Sequence, residues 1–257
     1  MVKGFEMIQN EEVDVFVSSG STGAFMAGGT LLVGRIKGID RPALTAIMPA
    51  YEGSFMIVDA GANTNCRPIN FTQFAHMGSV YMEKVMGIKN PRVALLNIGA
   101  EEEKGSPEVK QAHKLLKESN FPGFKGNIEA REALDGDCDV IITGGFAGNI
   151  FLKACEGVAK MMQSMIKDAF KKNIFTMIGY LFANSGFKKM KEIMNYKSYG
   201  GAMLLGVNGV VVKAHGNSDD YSFGCALDLA YRMAQSNLVN LLRDGVKENT
   251  PIEEKGE

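Results

Sequence analysis

The residues best suited to chemistry in this 257-residue chain sit in glycine-punctuated stretches that follow short apolar runs. Gly20-Ser21-Thr22-Gly23 follows Asp14–Ser18, and Asp59-Ala-Gly-Ala-Asn63 follows Met56–Val58. Lys104-Gly105-Ser106 comes shortly after a run ending at Ile98, and Gly144-Gly145-Phe-Ala-Gly148-Asn149 follows Asp139–Thr143. Glycine lets a ligand approach the backbone closely. A helix starting directly after such a turn presents free N–H groups to an anion such as phosphate. Read as parallel strands, the four runs place their loops at one sheet edge, in the crevice where ligands bind.

Each residue has two readings. Ser21 and Thr22, beside Gly23, cap a helix or touch a phosphate. Asp59 and Asn63 orient a ligand or hold loops together. Lys104 lies between a strand exit and a helix start, where a lysine can hold phosphate as a point charge, with Gly105 and Ser106 beside it. The glutamates at 101–103 before it fit a solvated acidic face. Gly144, Gly145 and Gly148 permit a tight turn. Asn149 caps the long helix that follows, or its amide polarises a carbonyl oxygen in the manner of an oxyanion-hole donor. Lys213 and His215 alternate along an extended segment and so face the same way. His215 is a general acid or base, or a structural histidine. No Gly-x-Ser-x-Gly elbow and no nucleophile-like cysteine is present. This pattern favours catalysis by positioning and electrostatics over a covalent enzyme intermediate.

The elements that position these residues read as alternating strands and helices, an α/β fold with a mostly parallel sheet. Residues 1–10 read as the end of a helix, Asp14–Ser18 as a strand and Thr22–Arg35 as a helix of small residues. Ala43–Pro49 and Ser54–Ala60 form a hairpin around residues 51–53. A helix over Phe71–Met86 precedes a buried strand over Arg92–Ile98. Pro107 opens the next helix, Glu108–Ser119. Phe124–Ile128, a short helix over Glu129–Leu134 and a strand over Asp139–Thr143 follow, then a long helix over Asn149–Lys172 and two shorter pieces reaching about Tyr196. Asn208-Gly209 signals a second hairpin, between Ala202–Val207 and Gly209–Lys213. Asp219–Arg243 reads as one last helix, and the polar residues 246–257 as a flexible tail.

Composition removes several classes. With 28 basic and 29 acidic residues, the net charge of −1 argues against a general nucleic-acid partner. No signal-peptide pattern is seen and no apolar run reaches about 18 residues, so the expectation is a cytoplasmic protein. Cys66, Cys138, Cys155 and Cys225 are scattered, without zinc-ligand spacing, and read as reduced thiols; no metal is expected. Neither a Walker A sequence nor Gly-x-Gly-x-x-Gly appears, which weighs against an NAD-dependent dehydrogenase. Residues 174–182 hold an apolar cluster with Lys167, Lys171 and Lys172 before it and Lys188, Lys189 and Lys191 after it. Such a pattern suits an anionic membrane surface, a dimer contact or a helical core.

Five long runs carry a resemblance: SSGSTGAFMAGGTLLVGRIKGIDRPAL, VDAGANTNCRP, NPRVALLNIGAEEEKGS, DVIITGGFAGNIFLK and YGGAMLLGVNGVVVKAHGNSD. Together they resemble the PlsX phosphate acyltransferase family over nearly the whole chain. The resemblance implies a three-layer α/β/α fold similar to phosphate acetyltransferases and isocitrate/isopropylmalate dehydrogenases, with residues 160–196 as a projecting helical segment within a single domain, 1–245. It implies transfer of a long-chain acyl group from acyl carrier protein to inorganic phosphate, with no cofactor. The acyl-phosphate product would pass to a membrane glycerol-3-phosphate acyltransferase for phospholipid synthesis. It further implies a homodimer and peripheral contact with the inner face of the membrane through about residues 174–191. Lys104 and Asn149 match positions regarded as catalytic candidates in the family, with Lys104 expected to hold phosphate and Asn149 to orient phosphate or stabilise the thioester oxyanion. Lys213 and His215 lie in a matching motif. Family members open with a strand and an Asp-Ala-Met-Gly-Gly-Asp loop; this chain starts after that region and is expected to lack that part of the site. Two alternatives stand beside this reading: a short-chain phosphate acetyl- or butyryltransferase using coenzyme A, and a non-catalytic membrane- or partner-binding fragment.

Overall fold

A computed structural model describes residues 1–193 and 199–249. Among these described residues, eight strands form one sheet in the order β1-β8-β7-β2-β3-β6-β4-β5. The strands are β1 Val15–Ser18, β2 Ala43–Pro49, β3 Ser54–Val58, β4 Val93–Asn97, β5 Phe124–Glu129, β6 Val140–Ile142, β7 Ala202–Leu205 and β8 Val210–Lys213. Four of the seven pairings are parallel (β1 with β8, β3 with β6, β6 with β4, β4 with β5), and both hairpins are antiparallel. The helices are α1 Val2–Gln9, α2 Thr22–Gly28, α3 Pro68–Lys84, α4 Pro107–Glu118, α5 Gly145–Phe170, α6 Ile174–Ile193, α7 Asp220–Gln235 and α8 Leu238–Asn249.

Side chains alternate across each strand, so one sheet supplies two cores. On one face, Ile47, Met56, Val58, Val140 and Leu95 pack against α3, α4, α7 and α8. On the other face the cover is split. Ala46, Met48, Phe55, Ile57 and Ile141 pack under Phe151, Leu152 and Cys155 of α5. Leu204, Val207 and Val211 pack under α1 and α2 through Phe5, Ile8 and Phe25. Helices therefore lie on both faces of a mixed sheet, in three layers, as expected. The gap between the two helical blocks on the second face is where the site lies.

Several expected boundaries shift. Asn149 does not cap α5; the helix begins at Gly145 with Gly144 as its N-cap. The helix after Thr22 stays regular only to Gly28 and widens into a π turn over Gly29–Val33. The two pieces expected before Tyr196 are one helix, α6, and residues 194–196 fall outside the described residues. The single last helix is two, broken at Asn237, whose φ of 55° no helix accepts. Residues 246–249 continue α8, and the rest of the expected tail lies outside the described residues, as do the side chains of Lys189 and Lys191.

The largest correction concerns the loops. Three successive antiparallel pairings separate β1 from β3, so the two run in opposite directions. The exits of β3, β4 and β6 share one sheet edge, while Ser19–Gly23 and Lys213–Gly216 leave at the other. The four glycine loops do not gather at a single edge.

Candidate active site

A cleft of about 850 Å³ joins the two edges along the second face. Its floor is Leu44, Ala46 and Met48 of β2 with Gly201 and Ala202 leading into β7. One wall is α5, through Asn149, Leu152, Lys153 and Glu156. The other is Ser19–Gly23 with Met26, and Lys213 to Gly216 close the far end. Helix α5 runs back from the exit of β6, so Asn149, Lys153 and Glu156 lie progressively nearer that end. Residues four apart share a helix face, and Lys153 stands about 6 Å along the axis from Asn149.

The loop after β3 sets the near end. The Asp59 carboxylate is fully buried. Its Oδ1 accepts from the backbone N–H groups of Leu44 (3.1 Å), Gly61 (3.0 Å) and Ala62 (2.9 Å). Its Oδ2 accepts from the Asn63 backbone N–H at 2.7 Å and side-chain Nδ2 at 2.8 Å. Burial pushes this carboxyl up, against the hydrogen bonds, which favour the charged form. Asn63 Nδ2 also donates to the Pro42 carbonyl at 2.8 Å. Asp59 and Asn63 therefore fasten the loop that presents Gly61 and Ala62 to the cleft; neither lines it.

The glycines of the β6 exit serve packing. A Cβ on Gly145 would stand 2.5 Å from the Asn63 carbonyl oxygen, and one on Gly148 only 2.0 Å from that of Asp59. Helix α5 is thus pressed onto the 59–63 loop, with Asn149 against Gly61, where a Cβ would lie 3.4 Å from the Asn149 Cβ. Gly144, Gly145 and Gly148 do not line the cleft; Asn149 does.

Lys104, Gly105 and Ser106 stand apart from the cleft. Gly105 turns with φ +94° against the Asn97 side chain, and Ser106 caps α4 by accepting from the Val109 N–H at 3.4 Å. Lys104 is exposed, and no ion pair or hydrogen bond of its ammonium is found among the described residues. At the other edge Ser21 caps α2, accepting from the Ala24 N–H at 3.3 Å, and Thr22 and Gly23 complete the wall. His215 is exposed and lines the cleft. Lys213, expected to share its face, is buried, at 8% exposure. Its Nζ donates to the Ala214 carbonyl at 2.8 Å. Burial, and secondarily the nearby Lys153 charge, hold its pKa below the usual lysine range.

Three contributors were missed from the sequence: Lys153, Glu156 and the apolar floor. A signal existed, since Lys153 follows Asn149 by four residues on one helix face. The ion pair of Lys153 with Glu156 measures 2.7 Å. Among the described residues no group of three or more His, Cys, Asp or Glu is placed to hold a metal.

The fold is that of phosphotransacylases. A phosphotransacetylase structure from Streptococcus pyogenes superposes with a TM-score of 0.61 at 15% identity, covering 92% of this chain and 67% of that one. A branched-chain phosphotransacylase from Enterococcus faecalis gives 0.55 at 13%, covering 91% and 78%. At sequence level, a family model described as "Fatty acid synthesis protein" matches residues 1–241. A phosphate acyltransferase from Clostridium novyi is 47% identical over 246 residues, 96% of this chain and 74% of that protein. Another, from Caldicellulosiruptor bescii, is 44% identical over 252 residues, 98% and 75%. These relatives make the chain an acyltransferase. The chain is a member of the phosphate acyltransferase, or PlsX, family.

Proposed function

We propose that the chain transfers a long-chain acyl group from acyl carrier protein to inorganic phosphate. A phosphate oxygen adds to the thioester carbonyl, the carbonyl oxygen becomes an oxyanion, and the carbon–sulfur bond breaks. Acyl-phosphate and the carrier thiol are the products, and the proton of the attacking hydrogen phosphate ends on the departing sulfur. Phosphate is already a nucleophile near neutral pH, so positioning and charge do most of the work. Asn149 is our choice for the amide that meets the oxyanion, because among the described cleft residues of the near end it alone carries a side-chain N–H donor. Ser21, Thr22 and His215 line the other end, and we assign His215 the relay of the hydrogen-phosphate proton to the departing sulfur. Lys104 lies outside the cleft and is assigned a role in drawing anions toward this sheet edge.

The carrying observation is a cleft with an apolar floor and two lysines, in a member of this family. The helical projection favours the long-chain reading. Beyond Cys155, α5 and α6 leave the sheet as a hairpin held by Phe170, Tyr180 and Phe187, whose ring centroids are 4.8–5.6 Å apart. Phe175, Leu181 and Phe182 are 81%, 72% and 84% exposed, with Lys171, Lys172 and Lys188 nearby in sequence. An apolar groove of about 700 Å³ runs between the two helices. These surfaces support a homodimer contact and a peripheral hold on an anionic membrane through about residues 174–191. The reading includes delivery of acyl-phosphate to a membrane glycerol-3-phosphate acyltransferase. No described helix is long and apolar enough to cross a membrane.

The test is phosphate-dependent release of free carrier protein from palmitoyl-acyl carrier protein, beside acetyl- and butyryl-coenzyme A as donors. Asn149→Ala should lower kcat about 100- to 1000-fold. Lys104→Ala should cost no more than about tenfold, mostly at low ionic strength. Preference for the coenzyme A donors would transfer the protein to the short-chain class. Absence of release from every donor would sink the reading.

A further inference from the structure

Lys213 is the anomaly of the cleft. It is buried, ends a sheet strand, and has no carboxylate within ion-pair distance among the described residues. Among the described residues, one of its three ammonium hydrogens has a partner, the neighbouring Ala214 carbonyl. A buried cation is normally paired, because removing charge from water is costly. The other charged groups lining the same cleft are Lys153, Glu156 and, when protonated, His215. Lys153 comes from the opposite wall and is half exposed, while Glu156, which pairs with it, is largely covered. Among the described residues the far end of the cleft thus holds two lysines and one carboxylate, and the carboxylate is paired with the more exposed lysine.

We infer that Lys213 and Lys153 form a two-lysine seat for a phosphate oxyanion, with Glu156 holding Lys153 while the seat is empty. Lys213 is the fixed half, set by the strand, lining the cleft and with two N–H groups unpartnered among the described residues. Lys153 is the movable half: it exchanges Glu156 for the incoming anion, which carries more charge and more acceptor oxygens than the carboxylate. The seat lies about one helical turn from Asn149, so an anion there stands beside a thioester whose carbonyl meets that amide. This inference rests on the acyl-transfer reading for its place in the reaction. Two phosphate groups fit the seat chemically, the free nucleophile and the phosphodiester of the donor's pantetheine arm.

The experiment is titration calorimetry of the full chain with inorganic phosphate and, separately, with 4′-phosphopantetheine. It uses the parent, Lys153→Met, Lys213→Met and Glu156→Gln. Lys153→Met should weaken the affected ligand about tenfold or more, and Lys213→Met further. Glu156→Gln should tighten it about two- to fivefold by releasing Lys153. If the loss falls on inorganic phosphate, the seat holds the nucleophile; if it falls on phosphopantetheine alone, the seat holds the donor's arm. Either outcome supports the seat. Equal binding by parent and both lysine variants, or no binding of either ligand by the parent, overturns it. Lys153 is solvent-accessible, so its variant reports on binding even if Lys213→Met misfolds. Binding is read without turnover: a seat that behaves as stated in a chain that releases no acyl group would sink the acyl-transfer reading alone. A chain that transfers acyl groups with phosphate KM and donor KM unmoved in Lys153→Met would sink the seat alone.

Discussion

Two glycines of the same helix should respond to the same substitution with opposite sign. Gly148 and Gly157 both lie inside α5, and replacing an interior helical glycine by alanine ordinarily gains about 1 kcal/mol. Gly157 is exposed, and a Cβ there meets nothing within 4 Å. Gly157→Ala should therefore raise stability by about 1 kcal/mol, or about 2–4 °C in Tm for a chain near this size. At Gly148 the added Cβ would stand 2.0 Å from the Asp59 carbonyl oxygen and 2.6 Å from the Thr143 Cγ2. Neither neighbour yields easily: the Asp59 N–H donates to the Thr143 carbonyl at 3.0 Å, and the Thr143 N–H to that of Val58 at 2.7 Å. Overpacking of this kind costs about 3 kcal/mol, which exceeds the propensity gain by about 2 kcal/mol. Gly148→Ala should then lose about 4–8 °C in Tm. It should also lower acyl transfer, because the helix must back away from the loop that Asn149 touches. Thermal and urea unfolding of the two variants beside the parent measure both signs. A Gly148→Ala protein as stable as Gly157→Ala would refute the claim that these glycines exist for helix-on-loop packing.

Asp59→Asn keeps the volume but turns an amide NH₂ toward N–H donors, stranding two or three of the five; a loss of about 2–4 kcal/mol is expected in urea unfolding, and an unchanged midpoint would count against the fastening role. Lys213, with its pKa held down by burial, binds fewer protons folded than unfolded between its lowered value and the ordinary 10.5, so its contribution to stability rises with pH across that window. Tyr81, whose burial holds its phenol up, opposes this above pH 10, so the readout is the parent-minus-Lys213→Met difference in unfolding free energy, which should climb with pH and would stay flat if the lysine were not penalised. Phe175→Glu with Phe182→Glu should cut co-sedimentation with anionic vesicles about tenfold or more without lowering Tm, since both rings are exposed; undiminished binding would remove the membrane assignment from α6.

The elements were largely legible because their signals are local. Pro107 marks the start of α4, and Asn208-Gly209 marks the turn between β7 and β8. The misplacements also have local causes. The helix after β6 begins four residues before Asn149 because Gly144 serves as N-cap, and sequence reading gave the cap to the better-known capping residue. The break at Asn237 was invisible because Ser236 and Asn237 interrupt an amphipathic pattern that resumes on both sides.

The chain's own order of residues determined the family and the alternation of strands and helices, and it singled out Asn149, Lys213, His215 and the Ser21–Gly23 turn, which line the cleft. These follow from residue types and short spacings. Which of the polar residues meet was decided only in three dimensions. Strand direction is set by pairing between segments as far apart as β1 and β8, and that pairing sends Ser19–Gly23 to the edge opposite Asp59 and Lys104. Whether a polar residue faces a cleft or a loop depends on burial, which spacing does not encode. Asp59 is consumed by five N–H donors and Lys104 is left outside. Lys213 and Lys153, sixty residues apart in sequence, line one cavity because the helical cover of the sheet is split between two separate cores.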